Sequence, residues 1–115
     1  MPLIKMEVSP ALSDDDQRTV VKALSKIAAE AIGKPESYVM ATVSPAQISM
    51  AGEVGPAAFL DIRSIGGLSQ AVNREISKQV CALLKERLDI PEDRVYLSFA
   101  NVTAQDWGWR SGTFG

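Results

Sequence analysis

Met1 and Pro2 open the chain, and together they bear on proton chemistry. A methionine followed by proline is readily trimmed, which leaves Pro2 with a free secondary amine on a rigid ring. Inside a chain the proline nitrogen is an amide, with no proton to give and no basic lone pair. A free α-amino group titrates near about 8, and burial or a neighbouring cation lowers that value. Once Met1 is gone, Pro2 can therefore act as a general base near neutral pH, whereas a retained Met1 silences it. Lys34 is the second residue of interest. It stands just past the end of an expected helix, where a cation either complements the helix dipole or serves a site near the end of the first parallel strand. Histidine is absent, which removes Ser-His and Cys-His nucleophiles and the commonest zinc ligand. Acid/base work then falls to a carboxylate, a lysine, a tyrosine or the terminal amine.

These residues need elements to hold them. Residues 2–8 mix apolar and polar side chains at short period and read as a strand, which Ser9-Pro10 breaks. Ser13 is an expected helix N-cap. Asp14, Asp15 and Asp16 follow it in a first turn where the dipole favours negative charge, a solvated run rather than a metal site. Val20, Leu24, Ile27, Ala28 and Ala31 share one helical face, Gly33 suits the left-handed stop and Pro35 forbids continuation, so the first helix spans residues 14–32. Residues 38–43 form a second strand and 48–50 a short extra one, while 51–56 hold two glycines and a proline and read as a loop. Residues 57–62 are a buried strand, 64–67 a turn, and Ser69 caps a second helix that reaches Leu88. Cys81 lies within that helix as a packing residue. After Pro91, residues 95–99 form another strand, and 101–115 are irregular, with Trp107, Trp109 and Phe114 among glycines.

An internal repeat underlies this order. Pro35-Glu36-Ser37-Tyr38-Val39 recurs as Pro91-Glu92-Asp93-Arg94-Val95, an offset of 91 − 35 = 56 residues. The same offset, without gaps, brings Ser13 onto Ser69, Val20 onto Ile76, Leu24 onto Val80 and Ile27-Ala28 onto Leu83-Leu84. The chain is expected to be one domain over residues 1–115, built of two tandem units at about 2–50 and 57–107. Each strand-helix-strand unit makes a right-handed crossover with its strands parallel. Two such units merge into a four-stranded mixed sheet with both helices on one face, an α/β (α+β) arrangement. Strands 38–43 and 57–62 read as apolar on both sides, so the second sheet face needs cover, and further copies of the chain supply it most simply. The halves differ at two telling places: Pro2 corresponds to Ala58, and Lys34 to Ile90.

The bulk properties exclude several classes. At 115 residues, 46% hydrophobic and 23% charged, the composition is that of an ordinary globular domain. A net charge of −2 and the lack of any basic stretch give no footprint for nucleic acid. No apolar run approaches a membrane span and residues 2–8 do not resemble a signal peptide, so the expected compartment is the cytoplasm, with export by a non-classical route left open. A single cysteine precludes an internal disulfide.

Met1-Pro2, Gly33-Lys34-Pro35, Ser64-Ile65-Gly66, Asn73-Arg74, Asp93-Arg94-Val95-Tyr96, Gly108-Trp109 and Thr113-Phe114 occur in that order. Together they resemble the macrophage migration inhibitory factor family of the tautomerase superfamily, along the whole chain from Pro2 to Phe114. The resemblance implies a homotrimer, with an active site at each subunit interface and no cofactor or metal. It implies that Pro2 is the catalytic base for a keto–enol substrate of the phenylpyruvate or dopachrome type. Lys34 and the backbone N–H of Ile65 would hold the substrate carboxylate or carbonyl, with Lys34 also stabilising charge that develops on oxygen. Tyr96 of a neighbouring subunit would hydrogen-bond the substrate, joined in the pocket by Ser98. Trp107, Trp109 and Phe114 would form an apolar wall that accepts an aromatic ring.

Some positions depart from the family pattern. Ser98 stands where asparagine is common, and Trp107 where a smaller apolar residue is usual, which would narrow the pocket. Arg63 takes the place of a residue that is often histidine. The Cys-x-x-Cys pair linked to thiol oxidoreductase activity in some members is here Ala57-Ala58-Phe59-Leu60. A cytokine-like protein ligand for a receptor, or a trimeric scaffold with a vestigial pocket, are the alternatives to a tautomerase. Pro2→Gly separates them, since only an enzyme loses its function with that amine.

Overall fold

The computed structural model describes residues 1–115. Strand β1 (Pro2–Ser9) turns Ile4, Met6 and Val8 inward by strict alternation. Helix α1 (Asp14–Ile32) starts at Ser13, whose Oγ accepts the Asp16 N–H at 3.1 Å, and stops at Gly33 in the left-handed conformation. A 3₁₀ turn at Glu36–Tyr38 leads into β2 (Met40–Pro45). Two short strands, β3 (Ser49–Met50) and β4 (Glu53–Val54), make a hairpin before β5 (Ala57–Ser64). Helix α2 (Gln70–Leu88) is capped by Ser69, whose Oγ accepts the Val72 N–H at 3.2 Å. Strand β6 (Val95–Asn101) follows, and a last hairpin, β7 (Gly108–Trp109) with β8 (Gly112–Thr113), closes the chain.

The helices fall at the expected 56-residue offset: residues 14–32 map onto 70–88, and the left-handed stop at Gly33 maps onto one at Asp89. The sheet order is β2-β1-β5-β6, parallel within each unit and antiparallel where β1 meets β5. Both helices cover one face. Ile4, Met6 and Val8 of β1 and Leu60 and Ile62 of β5 pack there against Val20, Leu24 and Ala28 of α1 and Ile76, Val80 and Leu84 of α2. Leu60 is fully buried in this layer. Leu60→Ala therefore lowers unfolding stability by about 2–5 kcal/mol in urea titration, through lost burial plus the cavity left behind.

Three details differ from the sequence-based expectation. The second strand begins at Met40 rather than at Tyr38, because the 3₁₀ turn after Pro35 takes up residues 36–38. The segments read as a loop at 51–56 and as irregular beyond 101 contain β4 and the β7–β8 hairpin. The uncovered sheet face is mixed rather than apolar: Lys5, Thr42, Asp61, Arg63 and Ser98 stand among Met40, Phe59 and Tyr96. Beyond Met40 and Phe59, the outward positions of β2 and β5 are polar, as in ordinary half-covered strands.

Candidate active site

The two ends of β1 are not alike. At its start, Pro2 is paired with Ser64, the last residue of β5, and Leu3 lies between Met40 on one side and Arg63 on the other. The parallel register with β2 carries the preceding turn, residues 37–39, to the same end of the sheet. The C-terminal segment arrives there too, since the Val102 N–H donates to the Ser64 carbonyl at 2.8 Å. Three chain segments thus converge on Pro2, whose ring is fully buried.

Between them lies a cleft of about 570 Å³ lined chiefly by Met1, Pro2, Tyr38, Trp107, Trp109 and Phe114. Its wall is an aromatic cluster. Trp109 and Phe114 stack at 5.2 Å, and Tyr38 meets them edge-on at 5.8 and 6.4 Å, within the range of favourable ring pairs. The wall is held by the β7–β8 hairpin and by the Phe114 N–H donating to the Trp107 carbonyl at 3.1 Å. The Arg110 guanidinium lies over the Trp109 ring at 5.3 Å. Arg63 and Asp106 are the charged residues of the lining.

Lys34 approaches from the helix side. Gly33 turns the chain off α1, and Gly67 of the loop after β5 lies close to the lysine stem. That close packing requires glycine at position 67: a Cβ there would lie 2.8 Å from Ile32 Cγ2 and 3.5 Å from Lys34 Cε, at a φ of +83°. Where the second unit has the fully buried Ile90, the first has a half-buried cation. The charge is felt at the chain start. The Met1 amine is held below its ordinary value of 8.0, first by burial and then by repulsion from the Lys34 charge.

The residues singled out in the sequence thus divide. Pro2, Trp107, Trp109 and Phe114 line one cleft. Lys34 and Ile65 stand beside it without forming its wall: Ile65 directly follows Ser64, the strand partner of Pro2. Tyr96 and Ser98 are elsewhere within the protomer. They pair with Phe59 and Asp61, opposite Glu7 and Lys5, well along β1 from Pro2 and on the uncovered face. Tyr38 belongs to the aromatic wall but was not singled out in the sequence. Its signal is positional, since a residue just before a strand parallel to β1 comes to lie at the β1 start. No group of three His, Cys, Asp or Glu side chains is placed to hold a metal ion, and no helix is long and apolar enough to cross a membrane.

A doubled β-α-β fold with a buried proline second in the chain, a lysine behind it and an aromatic wall in front defines a recognisable class of protein. The chain belongs to the macrophage migration inhibitory factor (MIF) family, whose sequence profile matches residues 1–115. It is similar to rat macrophage migration inhibitory factor, with 39% identity over 92 residues that span 79% of this chain and 80% of the relative. Its fold is similar to that of the MIF-like protein of Entamoeba histolytica, with a TM-score of 0.94 at 30% identity over 98% of each chain. The MIF homologue of Prochlorococcus marinus superposes with a TM-score of 0.92 at 35% identity, over 98% of this chain and 99% of that one.

Proposed function

We propose that the protein is a keto–enol tautomerase acting on an aromatic 2-oxo acid of the phenylpyruvate type, or on a dopachrome-type relative, with the Pro2 amine as general base. Removal of Met1 creates that amine. The Pro2 nitrogen takes a proton from the carbon beside the carbonyl, and the electron pair released moves onto oxygen as an enolate. The prolinium then returns the proton to oxygen, so no cofactor enters. Lys34 and the Ile65 N–H hold the carboxylate or carbonyl and stabilise the charge on oxygen. The ring lies against Trp107, Trp109 and Phe114.

The observation that carries this reading is the position of Pro2, buried where three chain segments converge on the aromatic cleft. Burial and the Lys34 charge lower the affinity of the adjacent Met1 amine for its proton, and the same two causes would make the Pro2 amine a base near neutral pH once Met1 is removed. The 66% exposure of Tyr96 and the uncovered sheet face support an assembly of three chains in which Tyr96 and Ser98 of a neighbouring protomer complete each cleft. Trimmed protein is expected to ketonise enol-phenylpyruvate, followed by absorbance, and to run in native mass spectrometry at three times the 12.4 kDa chain mass. A trimmed trimer with no turnover would remove the enzymatic reading. An active monomer would remove the role of the neighbouring Tyr96.

A further inference from the structure

We propose that Arg63 makes the cleft selective for an aryl 2-oxo acid that carries a second carboxylate on its ring. This rests on the tautomerase reading and specifies the substrate class of the same site. Arg63 is the one cationic side chain in the cleft lining. Its place follows from the strand register: Ser64 pairs with Pro2 and turns in toward the helices, so Arg63, paired with Leu3, turns to the opposite face. Lys34 lies on the helix side, packed close to Ile32 and Gly67. The two cations therefore flank the start of β1 from opposite faces of the sheet. A ligand with an anionic group at each end can engage both, one from each face.

Within the protomer, Arg63 is only loosely held. Its Nη2 lies 3.3 Å and its Nε 3.5 Å from the Asp61 carboxylate, longer than a tight guanidinium–carboxylate fork, and its side chain is 55% exposed. Asp61 also faces Lys5 directly across the β1–β5 pair, so it keeps a neighbouring cation when Arg63 turns away. The other charge in the lining, Asp106, accepts the Thr103 hydroxyl at 2.7 Å and adjoins Trp107. A carboxylate beside Asp106 is repelled, which directs the second anionic group to Arg63. Between the two anionic ends the ring meets the aromatic wall.

The test uses trimmed protein with phenylpyruvate and 4-carboxyphenylpyruvate. The wild type is expected to favour the ring-carboxylated substrate in kcat/KM. Arg63→Gln is expected to lower the ratio of the two kcat/KM values at least about tenfold, mainly through KM, as loss of a charge-assisted hydrogen bond does. Arg63→Lys, which keeps the charge without the planar fork, should recover part of the ratio. A ratio unmoved by Arg63→Gln, with phenylpyruvate still turned over, overturns the selectivity and leaves the tautomerase reading standing. If the wild type turns over neither compound, that reading falls, and the role of Arg63 is decided by binding through quenching of Trp107 and Trp109 fluorescence. Tighter binding of 4-carboxyphenylacetate than of phenylacetate, lost in Arg63→Gln, then supports it, and equal binding overturns it.

Discussion

Pro2→Gly lowers kcat/KM for phenylpyruvate ketonisation by roughly 10²–10⁴-fold, the usual contribution of one positioned proton-transfer group. The reason is geometric as much as chemical. Glycine still ends in an amine after trimming, but it lacks the ring that fixes the direction of the lone pair, and its backbone is looser at the start of β1. The ring of Pro2 is fully buried next to the aromatic cleft, so its loss also opens the site to water. The fold should persist, because β1 keeps its pairings from Leu3 onward with β2 and β5. Far-ultraviolet circular dichroism together with the assay separates a lost base from a lost structure. A folded Pro2→Gly protein with undiminished activity would mean that the proline ring is not needed to position the base.

Lys34→Ala is expected to lower kcat by roughly 10²–10³-fold, as removal of a single group that stabilises an oxyanion does. It also moves the pH profile, and the sign is fixed by the cause. The base form of the Pro2 amine grows as pH rises through its pKa, and a nearby cation lowers that pKa. At the Met1 amine, one residue before, burial is the first cause of a lowered pKa and repulsion from Lys34 the second. Removing the cation therefore shifts the ascending limb to higher pH. The profile of kcat/KM against pH for wild type and Lys34→Ala measures the shift. A limb that stays in place or moves to lower pH would show that Lys34 does not act on the amine.

The doubled fold was legible because the same stop signals occur twice. Gly33 with Pro35 and Asp89 with Pro91 end helices whose N-caps, Ser13 and Ser69, are spaced alike, and the apolar stripes between them coincide. The hairpins were not legible, for a backbone reason. The β7–β8 turn sets Arg110 and Ser111 at φ of 50° and 65°, and the β3–β4 turn sets Ala51 at 55° beside Gly52 at 78°. Turns with two left-handed residues are usually announced by Asn-Gly or Asp-Gly, and neither pair occurs here. The candidate site was half legible. Pro2 stood out by its place directly after Met1, and Lys34 by its place just past the helix stop where the repeat has Ile90; their counterparts Ala58 and Ile90 are buried apolar residues. Tyr38 did not stand out, because its membership of the aromatic wall depends on the parallel register of β1 and β2 rather than on any motif. Arg63 drew notice only as a departure from a family pattern, and its place beside Pro2 depends on the antiparallel register with β5.

The most direct measurement compares two samples of the same chain, one ending in Met1 and the other trimmed to Pro2, each verified by intact mass and assayed with enol-phenylpyruvate. With a secondary amine as the base, the trimmed sample turns the substrate over and the Met1-bearing sample runs at the uncatalysed rate. Equal turnover by the two would contradict proton transfer by the Pro2 nitrogen, since in one of them that atom is an amide.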